Sequence, residues 1–168
     1  MATITFKGNP IHTAGTLPAV GTVCPDFKLT GSDLSDVTLA NFAGKKKVLN
    51  IVPSLDTGVC QASARRFNAE AAARPDTVVI NISADLPFAQ KRFCDSEKLD
   101  RVVNLSTMRS PDFGKVFGVA IVDGPLAGLM SRAVLVLNKD NIVVHAQQVP
   151  EIVQEPDYAQ VLAALDKT

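Results

Sequence analysis

The sequence predicts an α/β fold, in which helices cover both faces of a central mixed β-sheet and a small β-hairpin precedes that sheet. Apolar strand-like runs alternate with helical runs along most of the chain, which is the pattern of βαβ units. Late in the chain, two strand-like runs flank Asn138-Lys-Asp-Asn141, which predicts a hairpin of antiparallel strands. No repeat, low-complexity tract or linker divides the sequence, so residues 1–168 are expected to form a single domain.

The first elements are expected to be short strands. Thr3–Phe6 alternates polar and apolar residues, a Gly-Asn-Pro turn follows, and Ile11–Thr13 can pair back, which predicts the N-terminal hairpin. Two further short strands are expected at Lys28–Thr30 and Val37–Leu39, on either side of a turn that contains glycine, serine and aspartate.

Buried strands and helices alternate over the rest of the chain. One apolar run stops at Pro53, as a buried strand would, because proline lacks a backbone donor. Apolar residues recur at helical spacing from Cys60 to Ala71, and Pro87 suits the first turn of a second helix with Asp85 as its cap. Strands are expected at Lys47–Val52, Asp76–Ala84, Val102–Ser106, Ala133–Leu137 and Ile142–Gln147. Helices are expected at Gly58–Ala73, Pro87–Leu99, Pro111–Phe117 and Pro156–Asp166.

Composition and charge argue against several classes of function. Seventeen basic and seventeen acidic residues give a formal net charge of zero, which disfavours binding to nucleic acid or to an anionic membrane. No secretory signal is evident, and no apolar run approaches the roughly 20 residues of a membrane span. We therefore expect a soluble, cytoplasmic protein whose three cysteines stay reduced at rest. The cysteines and histidines lack the paired spacings of a zinc site, so no metal is expected.

Cys60 is the candidate nucleophile. It ends the stretch Pro53-Ser-Leu-Asp-Thr-Gly-Val-Cys60, which places it in the first turn of the first predicted helix. A helix N-terminus favours negative charge, and the thiolate is the nucleophilic form of cysteine. Thr57 offers a hydroxyl one turn upstream, and Pro53 shapes the loop. The same position also suits an inert, buried cysteine, because free cysteine is among the most buried residue types.

Two other cysteines and one arginine complete the candidate residues. Cys94 lies late in the second predicted helix, where it either resolves an oxidised Cys60 or is inert. Cys24, in a loop, is interpreted as inert. The chain has no Cys-x-x-Cys motif, which argues against an ordinary dithiol reductase. Arg132 opens a strand, and a guanidinium can stabilise a thiolate, but the residues alone do not place it beside Cys60.

Pro53, Thr57 and Cys60 form the pattern Pro-x-x-x-Thr-x-x-Cys, which resembles the peroxiredoxin signature. Longer stretches are similar to the bacterial thiol peroxidase subfamily of peroxiredoxins. These stretches are Phe6–Pro10, Val48–Cys60, Ile82–Gln90, Arg92–Cys94, Gly124–Gly128, Arg132–Val134 and Glu155–Tyr158. The resemblance therefore runs along essentially the whole chain.

This resemblance implies a thioredoxin-like fold with an added N-terminal hairpin. It implies an antioxidant enzyme that reduces hydrogen peroxide and alkyl hydroperoxides without a metal or organic cofactor. Cys60 is implied as the peroxidatic cysteine and Cys94 as the resolving cysteine, which joins it in an intrachain disulfide. Thr57, Pro53 and Arg132 are implied as the immediate partners of Cys60. Thioredoxin is implied as the reductant, and a homodimer as the assembly.

Three alternatives remain open at this level. A redox sensor would use the same two thiols to change a binding surface, without meaningful turnover. A thiol–disulfide oxidoreductase acting on proteins is disfavoured by the missing Cys-x-x-Cys motif. A purely structural module would leave the grouping of Pro53, Thr57 and Cys60 without a purpose.

Overall fold

The computed structural model describes residues 1–168, which form nine strands and four α-helices. The strands are β1 Thr3–Phe6, β2 Asn9–His12, β3 Leu29–Thr30, β4 Asp36–Val37, β5 Lys46–Ile51, β6 Thr77–Ser83, β7 Val102–Ser106, β8 Ala133–Leu137 and β9 Val143–Gln148. The helices are α1 Gly58–Ala72, α2 Pro87–Glu97, α3 Phe113–Val116 and α4 Tyr158–Asp166. None of the four combines the length and the apolar character that crossing a membrane requires.

Seven of the strands form one mixed sheet in the order β4-β3-β7-β6-β5-β8-β9. At its centre β5, β6 and β7 are parallel, whereas β8 runs antiparallel to β5 and β9 runs antiparallel to β8. Parallel neighbours require crossover connections, and α1 and α2 supply them. The β1–β2 hairpin is a separate two-stranded sheet. The predicted mixed sheet with an N-terminal hairpin is therefore confirmed.

Side chains of the central strands alternate between two apolar layers. Val48, Val79 and Val134 face the layer that contains α1 and α4. Leu49 and Ile80 face the opposite, larger layer, which includes Phe113 of α3 and Phe117 just after it. A strand that is buried on both faces takes apolar side chains at most positions, which explains the nearly continuous apolar runs in the sequence.

Three local predictions were wrong. Asn9 and Pro10 do not form the turn of the N-terminal hairpin but pair with β1 as part of β2, so only Lys7 and Gly8 lie between the two strands. Leu39 does not extend a strand but begins a short 3₁₀ helix over Leu39–Phe42. Asp85 does not cap α2, because Leu86 occupies the N-cap position and no side chain caps that helix. An acidic residue shortly before a helix-starting proline matches the local pattern of a cap, but Asp85 instead accepts hydrogen bonds from the neighbouring loop after β5.

The N-terminal hairpin docks against a late segment of the chain. Ile4 and Ile11 pack against Ile152 in a small apolar cluster of their own. The Thr5 amide donates to the Pro150 carbonyl at 2.7 Å, and the Ile152 amide donates to the Thr5 carbonyl at 2.9 Å. Because these contacts join the beginning of the chain to residues 150–152, the hairpin holds in place a segment that borders the candidate site.

Candidate active site

Cys60 is the third residue of α1, and its side chain is completely buried. The helix start predicted for it is confirmed, with Thr57 as the N-cap residue. In the first turn, a helix offers no internal acceptors to its backbone N–H groups. The amides of Gly58, Val59 and Cys60 donate to no other protein group. These free donors and the helix dipole both favour negative charge at the end of α1 that carries Cys60.

Arg132 is the cation that reaches this thiol. Because β8 pairs with β5, placing Ala133 opposite Ile51, Arg132 arrives at the strand end from which the Cys60 loop departs. Its Nη1 lies 3.1 Å from Cys60 Sγ, and its Nε donates to the Ile152 carbonyl at 3.0 Å. A guanidinium that is 2% exposed needs a counter-charge. Of these two acceptors, the sulfur is the one that can carry a full negative charge.

The acceptor for Arg132 is held by the N-terminal hairpin. Glu151 accepts hydrogen bonds from the Thr5 hydroxyl at 2.7 Å and from the Gly8 amide at 3.0 Å. These bonds, the Thr5 hydroxyl foremost, lower the pKa of Glu151 to about 2. The hairpin thus fixes the segment whose Ile152 carbonyl orients the guanidinium of Arg132.

Asp85 organises the loop that leads from β5 to α1. Its carboxylate accepts from the Ser54 hydroxyl and from the Leu55 amide, both at 2.7 Å, and from the Ser83 hydroxyl at 2.7 Å. The carboxyl ends of the parallel strands β5 and β6 lie side by side, so a residue just past β6 can reach the loop just past β5. Asp85 was missed as a site residue; its position after a strand parallel to the one before the Cys60 loop is the signal that could have indicated it.

Thr57 and Pro53 occupy less direct positions than Arg132. The Thr57 side chain is exposed, and its hydroxyl donates to the Ser54 carbonyl at 3.2 Å rather than capping α1. Pro53 is buried two residues past the end of β5. Both residues therefore shape the loop that precedes Cys60. The Thr57 hydroxyl does so by bonding to the backbone of that loop.

Cys94 lies in the last turn of α2, and the side chain is 8% exposed. Its Sγ accepts a hydrogen bond from Asn104 Nδ2 at 2.7 Å. Burial raises the pKa of the Cys94 thiol, the Asn104 hydrogen bond opposes that shift, and the charge of Asp95 adds to it. Cys60 and Cys94 belong to one apolar cluster and are both free thiols. The fold therefore brings the two cysteines into the same part of the core in their reduced form.

Cys24 belongs to the opposite side of the sheet. It packs in the larger apolar layer, away from the cluster that contains Cys60 and Cys94. Burial, with a smaller contribution from Asp26, raises the pKa of the Cys24 thiol to about 12. A thiol that stays protonated is a poor nucleophile, which agrees with the inert interpretation. No three histidine, cysteine or acidic side chains are grouped so that they could hold a metal ion.

Three buried asparagines were also missed. Asn50, Asn81 and Asn104 lie in β5, β6 and β7 and are each at most 6% exposed. The sequence does carry a signal, because each follows two apolar residues and precedes a third: Val-Leu-Asn-Ile, Val-Ile-Asn-Ile and Val-Val-Asn-Leu. A polar amide at the same point of three consecutive buried strands is a pattern that packing alone does not require.

The arrangement supports nucleophilic chemistry at sulfur. A thiolate at a helix N-terminus, paired with a buried arginine and accompanied by free amide donors, can attack an electrophilic oxygen and stabilise the charge that develops on it. A second thiol in the same apolar cluster can accept the oxidised sulfur as a disulfide partner.

The comparisons with known proteins identify the class. The redoxin family profile matches residues 19–162, and the chain belongs to the redoxin family. A crystal structure of a peroxiredoxin-like protein from Aquifex aeolicus is 36% identical, with a TM-score of 0.92 over 99% of this chain and 97% of that one. The thioredoxin-like fold is thereby confirmed.

Within this family, the chain is a thiol peroxidase homologue. The thiol peroxidase of Mycobacterium bovis is 51% identical over 165 residues, which are 98% of this chain and 99% of that protein. The thiol peroxidase structure from Chromobacterium violaceum shares the fold at 23% identity, with a TM-score of 0.91 over 98% of this chain and 95% of that one. These findings support a peroxidase of the peroxiredoxin class over the sensor, protein-oxidoreductase and structural alternatives.

Proposed function

We propose that this protein reduces hydrogen peroxide and alkyl hydroperoxides through Cys60 and is recycled by thioredoxin. One observation carries the proposal: Cys60 Sγ lies 3.1 Å from the buried guanidinium of Arg132 at the start of α1. Family membership supplies the peroxidase chemistry, and this contact supplies a reason for Cys60 to be the nucleophile.

In the first step, the Cys60 thiolate attacks the distal oxygen of the hydroperoxide. An S–O bond forms and the O–O bond breaks, so Cys60 keeps the distal oxygen as a sulfenic acid and the other oxygen leaves as an alkoxide or hydroxide. That leaving group takes a proton from solvent to become an alcohol or water. Arg132 and the free amides of the first turn stabilise the oxygen charge during the attack. Cys60 is completely buried and the preceding Asp56, Thr57 and Gly58 are exposed, so we propose that substrate enters by displacing this turn.

In the second step, the Cys94 thiolate attacks the sulfur of the Cys60 sulfenic acid. An S–S bond forms, the S–O bond breaks, and hydroxide leaves and is protonated to water. A disulfide needs Cα atoms within roughly 7 Å of each other. Since the two cysteines lie on different helices, the first turn of α1 or the last turn of α2 shifts when the bond forms.

In the third step, a dithiol restores the enzyme. One thiolate of thioredoxin attacks the Cys60–Cys94 disulfide to give a mixed disulfide, and its second thiolate displaces the enzyme. Thioredoxin is oxidised, and Cys60 and Cys94 return as thiols. We also propose that residues 1–168 act as one domain, that the enzyme is a homodimer and that it works in the cytoplasm as an antioxidant.

The proposal is tested by steady-state NADPH consumption with thioredoxin, thioredoxin reductase and a hydroperoxide. Wild type should turn over rapidly and Cys60→Ser should lose all turnover, because serine cannot form a sulfenic acid. Cys24→Ala is the matched control and should retain full turnover, since its thiol lies in the other apolar layer. Substantial turnover by Cys60→Ser would remove Cys60 from the mechanism.

A further inference from the structure

The three buried asparagines form a continuous hydrogen-bonded ladder across the centre of the sheet. Strand pairing places Asn50 opposite Asn81, and Asn81 opposite Asn104. Asn50 Nδ2 donates to Asn81 Oδ1 at 2.9 Å, and Asn81 Nδ2 donates to Asn104 Oδ1 at 3.2 Å. Asn104 Nδ2 then donates to Cys94 Sγ at 2.7 Å. The ladder therefore ends on the sulfur of Cys94.

The direction of the ladder is set at its other end. Ser63 of α1 donates its hydroxyl to the Cys60 carbonyl at 3.0 Å, which leaves its oxygen free to accept from Asn50 Nδ2 at 3.4 Å. The amide nitrogen of Asn50 thus faces both Ser63 and Asn81. Each amide accepts at its oxygen and donates at its nitrogen. The orientation of the Asn50 amide therefore determines the orientation of the Asn81 amide, which in turn determines that of the Asn104 amide.

The asparagine ladder lowers the stability of the fold relative to apolar side chains at the same positions, because it leaves a buried polar atom unsatisfied. Asn50 Oδ1 is buried and has no hydrogen-bond partner. Valine or leucine would fill the same layer, as Val48 and Val79 do two residues earlier in the same strands, without leaving a buried polar atom unsatisfied. An apolar side chain could not donate the hydrogen bond that Asn104 Nδ2 donates to the Cys94 sulfur.

The surroundings of Cys94 otherwise oppose a negative charge. The sulfur is desolvated, and it lies at the C-terminal end of a helix, where the dipole favours cations. Asp95 is next to it on α2, ion-paired with Lys91 at 2.6 Å, and Asp33, from the loop between β3 and β4, lines the same cleft. Among these groups, the Asn104 amide is the one that donates a hydrogen bond to the sulfur.

We propose that Asn104, oriented by Asn81 and Asn50, stabilises the thiolate form of Cys94, which is the form that attacks oxidised Cys60. The assignment rests on the proposed role of Cys94 in forming the disulfide. Asn104 touches the reacting sulfur, whereas Asn81 and Asn50 are positioning residues that keep its amide nitrogen turned toward Cys94.

The direct test is a thiolate titration of Cys94 by ultraviolet absorbance, in protein that carries Cys24→Ala and Cys60→Ser so that Cys94 is the remaining thiol. Asn104→Leu should titrate at higher pH, with about a tenfold smaller thiolate fraction at neutral pH, since a hydrogen bond to a charged group is lost. Asn81→Leu should show a smaller shift in the same direction. Thr30→Val removes another buried polar group of the same sheet, 1% exposed, and should leave the titration unchanged.

An unchanged titration in Asn104→Leu would overturn the assignment of Asn104, and an unchanged titration in Asn81→Leu would overturn the positioning role of the ladder. Circular dichroism checks that each variant folds, and Asn104→Ala takes the place of Asn104→Leu if the latter does not. A shift of equal size in Thr30→Val would also overturn the proposal, because it would show that any loss of buried polarity moves the thiol.

A second measurement separates this inference from the proposed function. After one equivalent of hydroperoxide, acid quenching and mass spectrometry follow the appearance of the Cys60–Cys94 disulfide across a pH series. Asn104→Leu should form this disulfide about threefold more slowly at neutral pH. The slowing is smaller than the loss of thiolate, because a thiolate of higher pKa is the better nucleophile. The rate should recover at alkaline pH, where the Cys94 thiol ionises in the variant as well. If wild type forms no such disulfide, the proposed resolving step fails, while the titration still reports on Asn104.

Discussion

Cys60 and Cys94 share one apolar cluster but lie at opposite ends of their helices. Cys60 is in the first turn of α1, where the dipole favours a thiolate, and its sulfur meets the full charge of Arg132. Cys94 is in the last turn of α2, where the dipole opposes a thiolate, and its sulfur meets the neutral amide of Asn104. The fold thus stabilises a negative charge on the sulfur of Cys60 more strongly than on the sulfur of Cys94.

This difference fits the order of the proposed reaction. The first thiol has to be charged before substrate arrives, so it is paired with a group that is always cationic. The second thiol acts only after the first is oxidised, and a weaker donor suffices for it. A strongly stabilised thiolate at Cys94 would itself compete for the oxidant, since thiolate character sets susceptibility to oxidation.

The largest expected effect is the loss of turnover when Cys94 is replaced. Cys94→Ser should consume one equivalent of hydroperoxide per chain and then stop in the thioredoxin-coupled assay, because no intrachain disulfide can form. Mass spectrometry should detect Cys60 passing on to sulfinic and sulfonic acid as peroxide is added. Undiminished cycling by this variant would remove Cys94 from the mechanism and would make the comparison of the two thiols meaningless.

The next largest effect is expected at Arg132. Arg132→Met should lower the rate of the peroxide step by about 10²–10³, the range seen when one donor to a developing oxyanion is removed. Arg132→Lys keeps the charge but not the planar fork that serves both the sulfur and the Ile152 carbonyl, so we expect an intermediate rate. The rate of hydroperoxide loss in single-turnover experiments is the measurement. A wild-type rate in Arg132→Met would show that the helix end alone activates Cys60.

The smallest effect is expected at Glu151, which joins the N-terminal hairpin to the segment that contacts Arg132. Since hydrogen bonds lower the pKa of Glu151 from its ordinary 4.5 to about 2, its contribution to stability is present above pH 4.5 and is lost as pH falls toward 2. The melting temperature of wild type should therefore fall more steeply over this interval than that of Glu151→Gln, which has no carboxylate to protonate. Parallel pH profiles of the two proteins would show that the Glu151 contacts with Thr5 and Gly8 do not stabilise the hairpin.

The sequence predicted what depends on local pattern. The alternation of apolar runs and helical spacing predicted every strand and α-helix to within two residues, though not the 3₁₀ helix at Leu39–Phe42, and the loop-to-helix context put Cys60 in the first turn of α1. Arg132 was named, but its contact with Cys60 depends on the pairing of β8 with β5, which no local pattern specifies. The role of Asp85 was mistaken because its short-range pattern fits a helix cap, whereas its actual partners come from a neighbouring strand end.

The asparagine ladder shows why part of the site escaped prediction. Each asparagine, considered alone, is one polar residue in an apolar strand, with no local partner to reveal its purpose. Their relation appears only when β5, β6 and β7 are laid side by side in register. Register in a parallel sheet is set by packing of the whole layer, so it is not available from any one segment.

The docking of the hairpin onto residues 150–152 has a consequence for how the chain is made. Chains emerge from the ribosome with the N-terminus first, so Cys60 appears well before Arg132 and before the Ile152 carbonyl that orients it. The hairpin, though synthesised first, has to wait for Glu151 before it can clamp that segment. Throughout this interval Cys60 lacks the Arg132 contact, so the cation that assists its reaction with an oxidant is added only when the fold is complete.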